Sequence, residues 1–165
     1  MTIRNAHRDD LPRIVRILNQ SAGTGANARL APVGVDSREA WFDAHAPDRF
    51  PIWIAETERD VVGWCSLSPW RSGRGALASV AEISYYVDAA HHRQGIATRL
   101  VRHARGACPG LEIHTLLAIG LESNPASEAL LIREGFERWG LLPGVADLRA
   151  SGGRRVGQWI YGRTV

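Results

Sequence analysis

"AAHHRQGIATRLV", residues 89–101, joins a strand-like run to a helix-like one. Upstream, "SVAEISYYVD" (79–88) is rich in β-formers; downstream, Ile96, Leu100, Val101 and Ala104 recur at helical spacing, which predicts a helix over 94–107. Gly95 and Ala97 fall in the first turn of that helix, where glycine weakens the helix and removes packing. A helix tip kept free of side chains presents unpaired N–H groups and the positive end of its dipole, a natural seat for phosphate oxygens. An isolated G-x-A also reads as a plain strand-to-helix turn, so the rest of the chain decides between the two.

Outward from this junction the chain alternates short elements. "TIRNA" (2–6) reads as a strand, and Leu11, Ile14, Val15, Ile17 and Leu18 form the apolar stripe of a helix ending near Ser21. Glycines at 23, 25 and 34 with Pro32 make 22–35 a loop, long enough to mark a substrate-facing segment. A capping pattern in "DSREAWFDAH" starts a second helix, expected over 36–46. "PIWIAET" (51–57) and "VVGWCSLSPW" (61–70), separated by "ERD", suggest a hairpin. Beyond the central helix, "EIHTLLAIG" (112–120) is a strand and "NPASEALLIREG" (124–135) a helix ended by Gly135. "FERWGLLPGV" (136–145) and "RVGQWIYGRT" (155–164) form a closing pair of strands. The order β-α-α-β-β-β-α-β-α-β-β describes an α+β (mixed α/β) layer protein with a largely antiparallel first half.

With 165 residues, 45% hydrophobic and 22% charged, the chain suits one domain spanning 1–165. No apolar segment is long enough to span a bilayer, and the N-terminus has no h-region, so a cytoplasmic protein with no membrane partner is expected. The formal charge of +3 mildly favours anionic ligands, but nothing in the sequence marks a nucleic-acid partner. Cys65 and Cys108 have no metal-ligand spacing, and the six histidines share none either, so no metal is expected. Neither cysteine has the setting of a nucleophile. Most of the six tryptophans read as core or interface residues, with Trp70, beside Arg71, the exception.

"HHRQGIATRLV" resembles the acetyl-CoA-binding motif of the GNAT N-acetyltransferases, whose form is Q/R-x-x-G-x-G/A between a strand and a helix. The matching positions are His92, Arg93, Gln94, Gly95, Ile96 and Ala97; His92 stands where the family has Gln or Arg. "TIRNAHRDDLPRIVRILNQ" is similar to the family's opening strand and helix, and "NPASEALLIREGF" to its late motif, N-x-x-S-x-x-L-(Tyr or His)-x-x-x-G-(Phe or Tyr). "LSPWR" (67–71) and "VAEISYYV" (80–87) most resemble the branch that acetylates phosphinothricin and methionine sulfone.

The resemblance implies a GNAT-like fold, a mostly antiparallel sheet of about seven strands flanked by about four helices. It implies acetyl-CoA as donor, a small-molecule amine as acceptor, and a homodimer. The turn through Thr98 would hold the diphosphate, Tyr85, Tyr86 and Val87 the pantetheine arm and acetyl carbonyl, and Asn124 with Ser127 the pantetheine region. Asn124 reads equally as a plain helix N-cap. Glu82, the single acid of an apolar strand, matches the branch's general base, and partial burial would raise its pKa toward that task. Arg71 and Arg74, with Trp70, sit in the loop where relatives meet the substrate carboxylate, though Gly-flanked loop arginines are also ordinary solvated charge.

Leu131 replaces the Tyr or His that can protonate the leaving thiolate in many relatives, with Tyr161 or Tyr86 as conceivable substitutes. That loss, and the unfamiliar "GGRRVGQWIYG" tail, favour as an alternative a non-catalytic acyl-CoA-binding module; a protein or peptide N-acetyltransferase, which requires a wide open acceptor groove, is a third reading.

Overall fold

The apolar stripes fold against opposite faces of one sheet. In the computed structural model, which describes residues 1–58 and 60–165, strand β1 (Thr2–Asn5) leads to helices α1 (Leu11–Asn19) and α2 (Asp36–Asp43). Strands β2 (Ile52–Glu56), β3 (Val61–Pro69) and β4 (Val80–Val87) follow, then α3 (Ile96–Ala107), β5 (Thr115–Leu121), α4 (Pro125–Arg133), β6 (Glu137–Asp147) and β7 (Arg155–Thr164). The seven strands form a single sheet in the order β1-β2-β3-β4-β5-β7-β6, antiparallel except for β4 with β5. This mixed α/β architecture is the expected fold class.

On one face, α1 buries Ile14, Ile17 and Leu18 against Ile52, Ile54, Val61 and Trp64. The helical spacing of those residues puts all three on one stripe, and the Trp64 indole N–H donates to the Ile14 carbonyl at 3.1 Å. On the other face, α3 buries Ile96, Leu100, Val101 and Ala104 with Leu67, Ala81, Ile83 and the α4 residues Leu130 and Leu131. Gly63 allows α3 to lie close: a Cβ there would stand 3.0 Å from the Tyr86 carbonyl oxygen and 3.2 Å from Ile96.

Several boundaries differ from expectation for local reasons. The central helix begins at Ile96, because Gly95 adopts the left-handed conformation (φ 77°, ψ 6°) and ends the turn instead of opening the helix. The second helix stops at Asp43, and β3 ends at Pro69, before Trp70. β6 runs longer than expected, to Asp147, through register shifts at Arg138/Gly140 and Leu142/Ala146. The expected "ERD" turn includes Arg59, which lies outside the described residues.

The decisive feature is where pairing stops. β4 and β5 are joined only at Val80–Thr115, Ala81–Leu116 and Glu82–Leu117. Beyond Glu82 the two strands continue without pairing to each other, while β4 stays bonded to β3 along its other edge as far as Val87.

Candidate functional site

The gap between the diverging ends of β4 and β5 opens into a cavity of about 810 Å³. Its walls are residues 83–87 of β4, residues 118–120 of β5, the first turn of α3, the start of α4, and Thr24 and Ala26 from the 22–35 loop. Every cofactor-binding candidate from the sequence lines it except Gln94, which is exposed.

At one end stands the tip of α3. The first backbone bond of this helix runs from the Arg99 N–H to the Gly95 carbonyl at 3.0 Å, so the amides of Ile96, Ala97 and Thr98 have no carbonyl partner. A Cβ on Gly95 would meet nothing within 4 Å; the position is bare rather than crowded, and its φ of +77° disfavours any other residue. Arg93, also left-handed with φ 61°, shapes the same turn, and the His92 ring bonds the Val87 carbonyl at 3.0 Å. Of the nearby cations, Arg99 is drawn off to the Met1 carbonyl and Arg102 to Glu134, at 2.8 and 3.0 Å. Arg133 at the end of α4 lines the cavity instead, 3.4 Å from the Thr98 hydroxyl. Sequence reading passed over Arg133, because only the packing of α4 beside α3 brings it there.

Along the middle, the Tyr85 and Ser127 hydroxyls share a 2.6 Å hydrogen bond across the gap, and burial pushes the Tyr85 phenol up to about 12. Asn124 caps α4 by accepting from the Ser127 N–H at 3.1 Å and also donates to the Ala26 carbonyl at 2.9 Å. Ser123 donates to the Gly25 carbonyl at 2.6 Å, so two consecutive residues fasten the 22–35 loop to the start of α4. Leu131 is fully buried in the α3/α4 core and does not line the cavity. The Tyr161 hydroxyl donates to Glu128 at 2.7 Å and lies off the cavity wall, while Tyr86 is on it.

Glu82 occupies the fork itself, the last residue of β4 paired with β5. By strand alternation it shares a face with Ser84 and Tyr86, which line the cavity, although Glu82 itself is not on the cavity wall. It has no hydrogen-bond or ion-pair partner among the described residues, and burial raises its carboxyl above the usual range. Opposite it in β3 is Ser68, whose hydroxyl lies 3.2 Å from the His45 Nε2. The other His45 nitrogen faces the Trp41 carbonyl at 2.7 Å, and burial lowers the His45 pKa, favouring the neutral ring. Trp70 is half-buried and Arg71 and Arg74 are exposed, and none of the three is on the cavity wall.

Among the described residues no cluster of His, Cys, Asp or Glu is placed to hold a metal, and no helix is long and apolar enough to cross a membrane.

Residues 1–137 match the acetyltransferase (GNAT) domain family. The chain is 35% identical over 165 residues to YwnH of Bacillus subtilis (strain 168), provisionally named a phosphinothricin acetyltransferase, covering 99% of this chain and 98% of that protein. It is 33% identical over 161 residues to the L-methionine sulfoximine/L-methionine sulfone acetyltransferase of Pseudomonas paraeruginosa, covering 96% and 89% respectively. Its fold superposes with a TM-score of 0.89 on a GNAT superfamily phosphinothricin acetyltransferase of Sinorhizobium meliloti solved with AcCoA, at 26% identity, covering 99% of this chain and 88% of that one. A strand pair that parts beside a bare helix tip, together with these likenesses, identifies the chain as a member of the GNAT acetyltransferase family.

Proposed function

We propose that this protein transfers the acetyl group of acetyl-CoA to the primary amine of a small amino-acid-like acceptor, with Glu82 as general base. The observation that carries the reading is the parting of β4 from β5 immediately after Glu82. It leaves one edge of residues 83–87 unpaired beside a ligand-sized gap, with Glu82 at the last paired position before it and the α3 tip on its wall. The relatives named for phosphinothricin and methionine sulfone supply the acceptor class.

The residues present fit a diphosphate-bearing thioester. The amides of Ile96, Ala97 and Thr98 meet the diphosphate, aided by Arg133, and the free edge of β4 pairs with the pantetheine arm as a missing strand would. When bound there, the donor supplies an activated acyl group next to the fork. Glu82 takes the proton of the attacking ammonium directly or through one water, a task suited to a carboxyl with a raised pKa and unoccupied lone pairs. Transfer is direct: Cys65 and Cys108 are both buried, and burial pushes the Cys108 thiol up to about 11, so neither is a thiolate near neutral pH. The departing thiolate of coenzyme A is stable enough to leave without a side-chain acid, which makes Leu131 tolerable.

The whole chain, 1–165, serves as one acetyltransferase domain in this reading, because β7 inserts between β5 and β6 and so ties the C-terminal strands into the same sheet. We read the protein as a homodimer joined along edge strand β6, where Trp139, Leu141, Leu142 and Val145 are exposed together. Sedimentation equilibrium tests this directly, and a monomer at all concentrations refutes it.

The deciding experiment follows thiol release from acetyl-CoA over amino acids, sulfones, polyamines, aminoglycosides and peptides, for the wild type and Glu82→Gln. Turnover with small amino acids that is lost in Glu82→Gln supports the proposal. Binding of acetyl-CoA with no turnover of any acceptor assigns a non-catalytic acyl-CoA module, and turnover confined to peptides assigns a protein acetyltransferase.

A further inference from the structure

Among the described residues nothing donates to the Glu82 carboxylate, and the residue opposite it shows why. Ser68 is the register partner of Glu82 across β3 and β4, and directly opposed residues of an antiparallel pair put their side chains on one face, with Cβ atoms about 4.5–5.5 Å apart. A serine hydroxyl in that place is a natural donor to a carboxylate. Instead the Ser68 Oγ lies 3.2 Å from the His45 Nε2.

The direction of that bond is fixed from its far end. His45 follows Trp41 by four residues, one helical turn, which brings its ring 4.7 Å from the indole and its Nδ1 2.7 Å from the Trp41 carbonyl oxygen. A carbonyl only accepts, so Nδ1 carries the proton. Burial and the charge of Arg38 outweigh the Trp41 bond and lower the His45 pKa, so the ring is neutral near pH 7 and Nε2 is a bare lone pair. Nε2 therefore accepts, and the single proton of the Ser68 hydroxyl is committed to it. What Ser68 keeps for Glu82 is lone pairs. Lone pairs repel a carboxylate but accept from a carboxylic acid, so the arrangement favours the form of Glu82 that holds a proton.

Nothing else on this side replaces the missing donor. On β4, Glu82 shares its face with Ser84 and Tyr86; β5 offers Leu117 in the same row, and α1 presents an apolar stripe to the sheet. Burial raises the Tyr86 phenol, and the charges of Arg29 and Arg38 oppose it, but neither arginine forms an ion pair with Glu82 among the described residues. The geometry points to the Trp41 carbonyl, His45 and Ser68 as a positioning chain that withholds the Ser68 proton from Glu82, keeping the carboxylate unpaired and free to take the acceptor's proton. Without the chain, the hydroxyl would turn onto the carboxylate in a charge-assisted bond that must break before Glu82 accepts anything. This inference rests on the acetyl-transfer reading, in which Glu82 is the base. His45 and Ser68 exchange no proton with substrate.

The test follows the Glu82 carboxyl carbon by NMR in protein labelled with ¹³C-glutamate, its signal assigned by its loss in Glu82→Gln. The titration midpoint is compared in wild type, His45→Phe, Ser68→Ala and the double variant. His45→Phe keeps a ring against Trp41 and deletes the acceptor. It is expected to lower the Glu82 midpoint by about one pH unit, a loss of about tenfold in proton affinity, as the freed hydroxyl donates to the carboxylate. The sign is informative, because losing an imidazole that can carry positive charge, or replacing it with an apolar ring, would raise the midpoint. The double variant has no hydroxyl to free, so its midpoint should match that of Ser68→Ala. The acid limb of kcat/KM should move with the midpoint, at unchanged acetyl-CoA affinity. The proposal is overturned if His45→Phe leaves the midpoint in place or raises it, or if the double variant keeps the downward shift. A second readout needs no variant: ¹⁵N imidazole shifts of the wild type at neutral pH should show a protonated Nδ1 and a bare Nε2, and the opposite tautomer or an imidazolium also overturns the proposal. The acetyl-transfer reading fails on a different result, absence of thiol release by the wild type, which neither NMR signal reports.

Discussion

The two faces of β4 are built on different principles. On the α3/α4 side, Ile83, Tyr85 and Val87 lead to a helix tip whose amides are exposed because Gly95 is bare, so recognition there is by backbone. On the α1/α2 side, Glu82 is paired with Ser68, whose hydroxyl meets His45 from beyond α2, and Tyr86 stacks on Trp64, so recognition is by functional groups. A backbone site tolerates variation in every side chain except where a side chain would intrude. A side-chain site can be rewritten residue by residue, which is how one family can keep a donor and change its acceptor.

The largest effect expected is on the side-chain face. Glu82→Gln is predicted to lower kcat/KM by roughly 10² to 10⁴ while leaving acetyl-CoA affinity intact, as loss of a general base does. Its pH profile sharpens the assignment: the wild type loses activity as pH falls through an ionisation above the ordinary glutamate value, and Glu82→Gln lacks that limb. Stability should move the opposite way. Because the folded-state pKa is raised, the folded chain binds more protons than the unfolded one between the two pKa values, so stability falls as pH rises through that window. Glu82→Gln should therefore melt higher than wild type at neutral pH, and the difference should shrink toward about pH 4, where the unfolded carboxyl is also protonated. An equal or lower melting temperature at neutral pH would show that the carboxylate is not held at a cost.

A smaller but more selective effect tests the backbone face. Gly95→Val puts a β-branched residue at φ +77° and a methyl pair over the amides, and is predicted to weaken acetyl-CoA binding roughly 10- to 100-fold by calorimetry. The acceptor KM, measured at saturating donor, should hold. If both constants shift together, the faces are coupled through the fork and the division between them fails.

That division also explains what was legible in the sequence. The strand and helix periods and the Gly95 turn were readable because each depends on local pattern or on a residue that only one backbone conformation favours. Four helices and seven strands appear in the expected order, with ends shifted by a few residues. Glu82 stood out as the one acid in its strand. By contrast, nothing local distinguishes Arg133 from the other basic residues near helix ends. Its place on the cavity wall arises from α4 packing beside α3, a contact between elements far apart in the chain, as does the pinning of the 22–35 loop by Asn124. Trp70, Arg71 and Arg74 drew notice because they are adjacent in sequence to the Glu82 strand, and none of the three is on the cavity wall.

Asn124 joins the two faces and gives a further, milder test. Asn124→Ala removes the α4 cap and the bond to Ala26, and is predicted to cost about 1 kcal/mol of stability, read as a shift in the denaturant midpoint. Because the same side chain anchors the acceptor loop to the donor wall, both substrates' KM values should rise a few fold at unchanged kcat. A rise in the donor KM alone would reduce Asn124 to a cap and detach the loop from the comparison.

The smallest effect is expected at the loop the sequence made most conspicuous. Arg71 and Arg74 are exposed, have no ion-pair partner among the described residues and are not on the cavity wall, and Arg71 is held at a φ of 52°. Solvated charges of that kind contribute little to a site they do not touch, because water and salt screen them. Arg71→Ala and Arg74→Ala are therefore predicted to change the acceptor KM by less than about twofold at physiological salt. Raising the salt should narrow even that difference, since any residual influence is long-range steering. A tenfold rise that survives high salt would mean direct contact, and the acceptor site would then draw on this loop as well as on the fork.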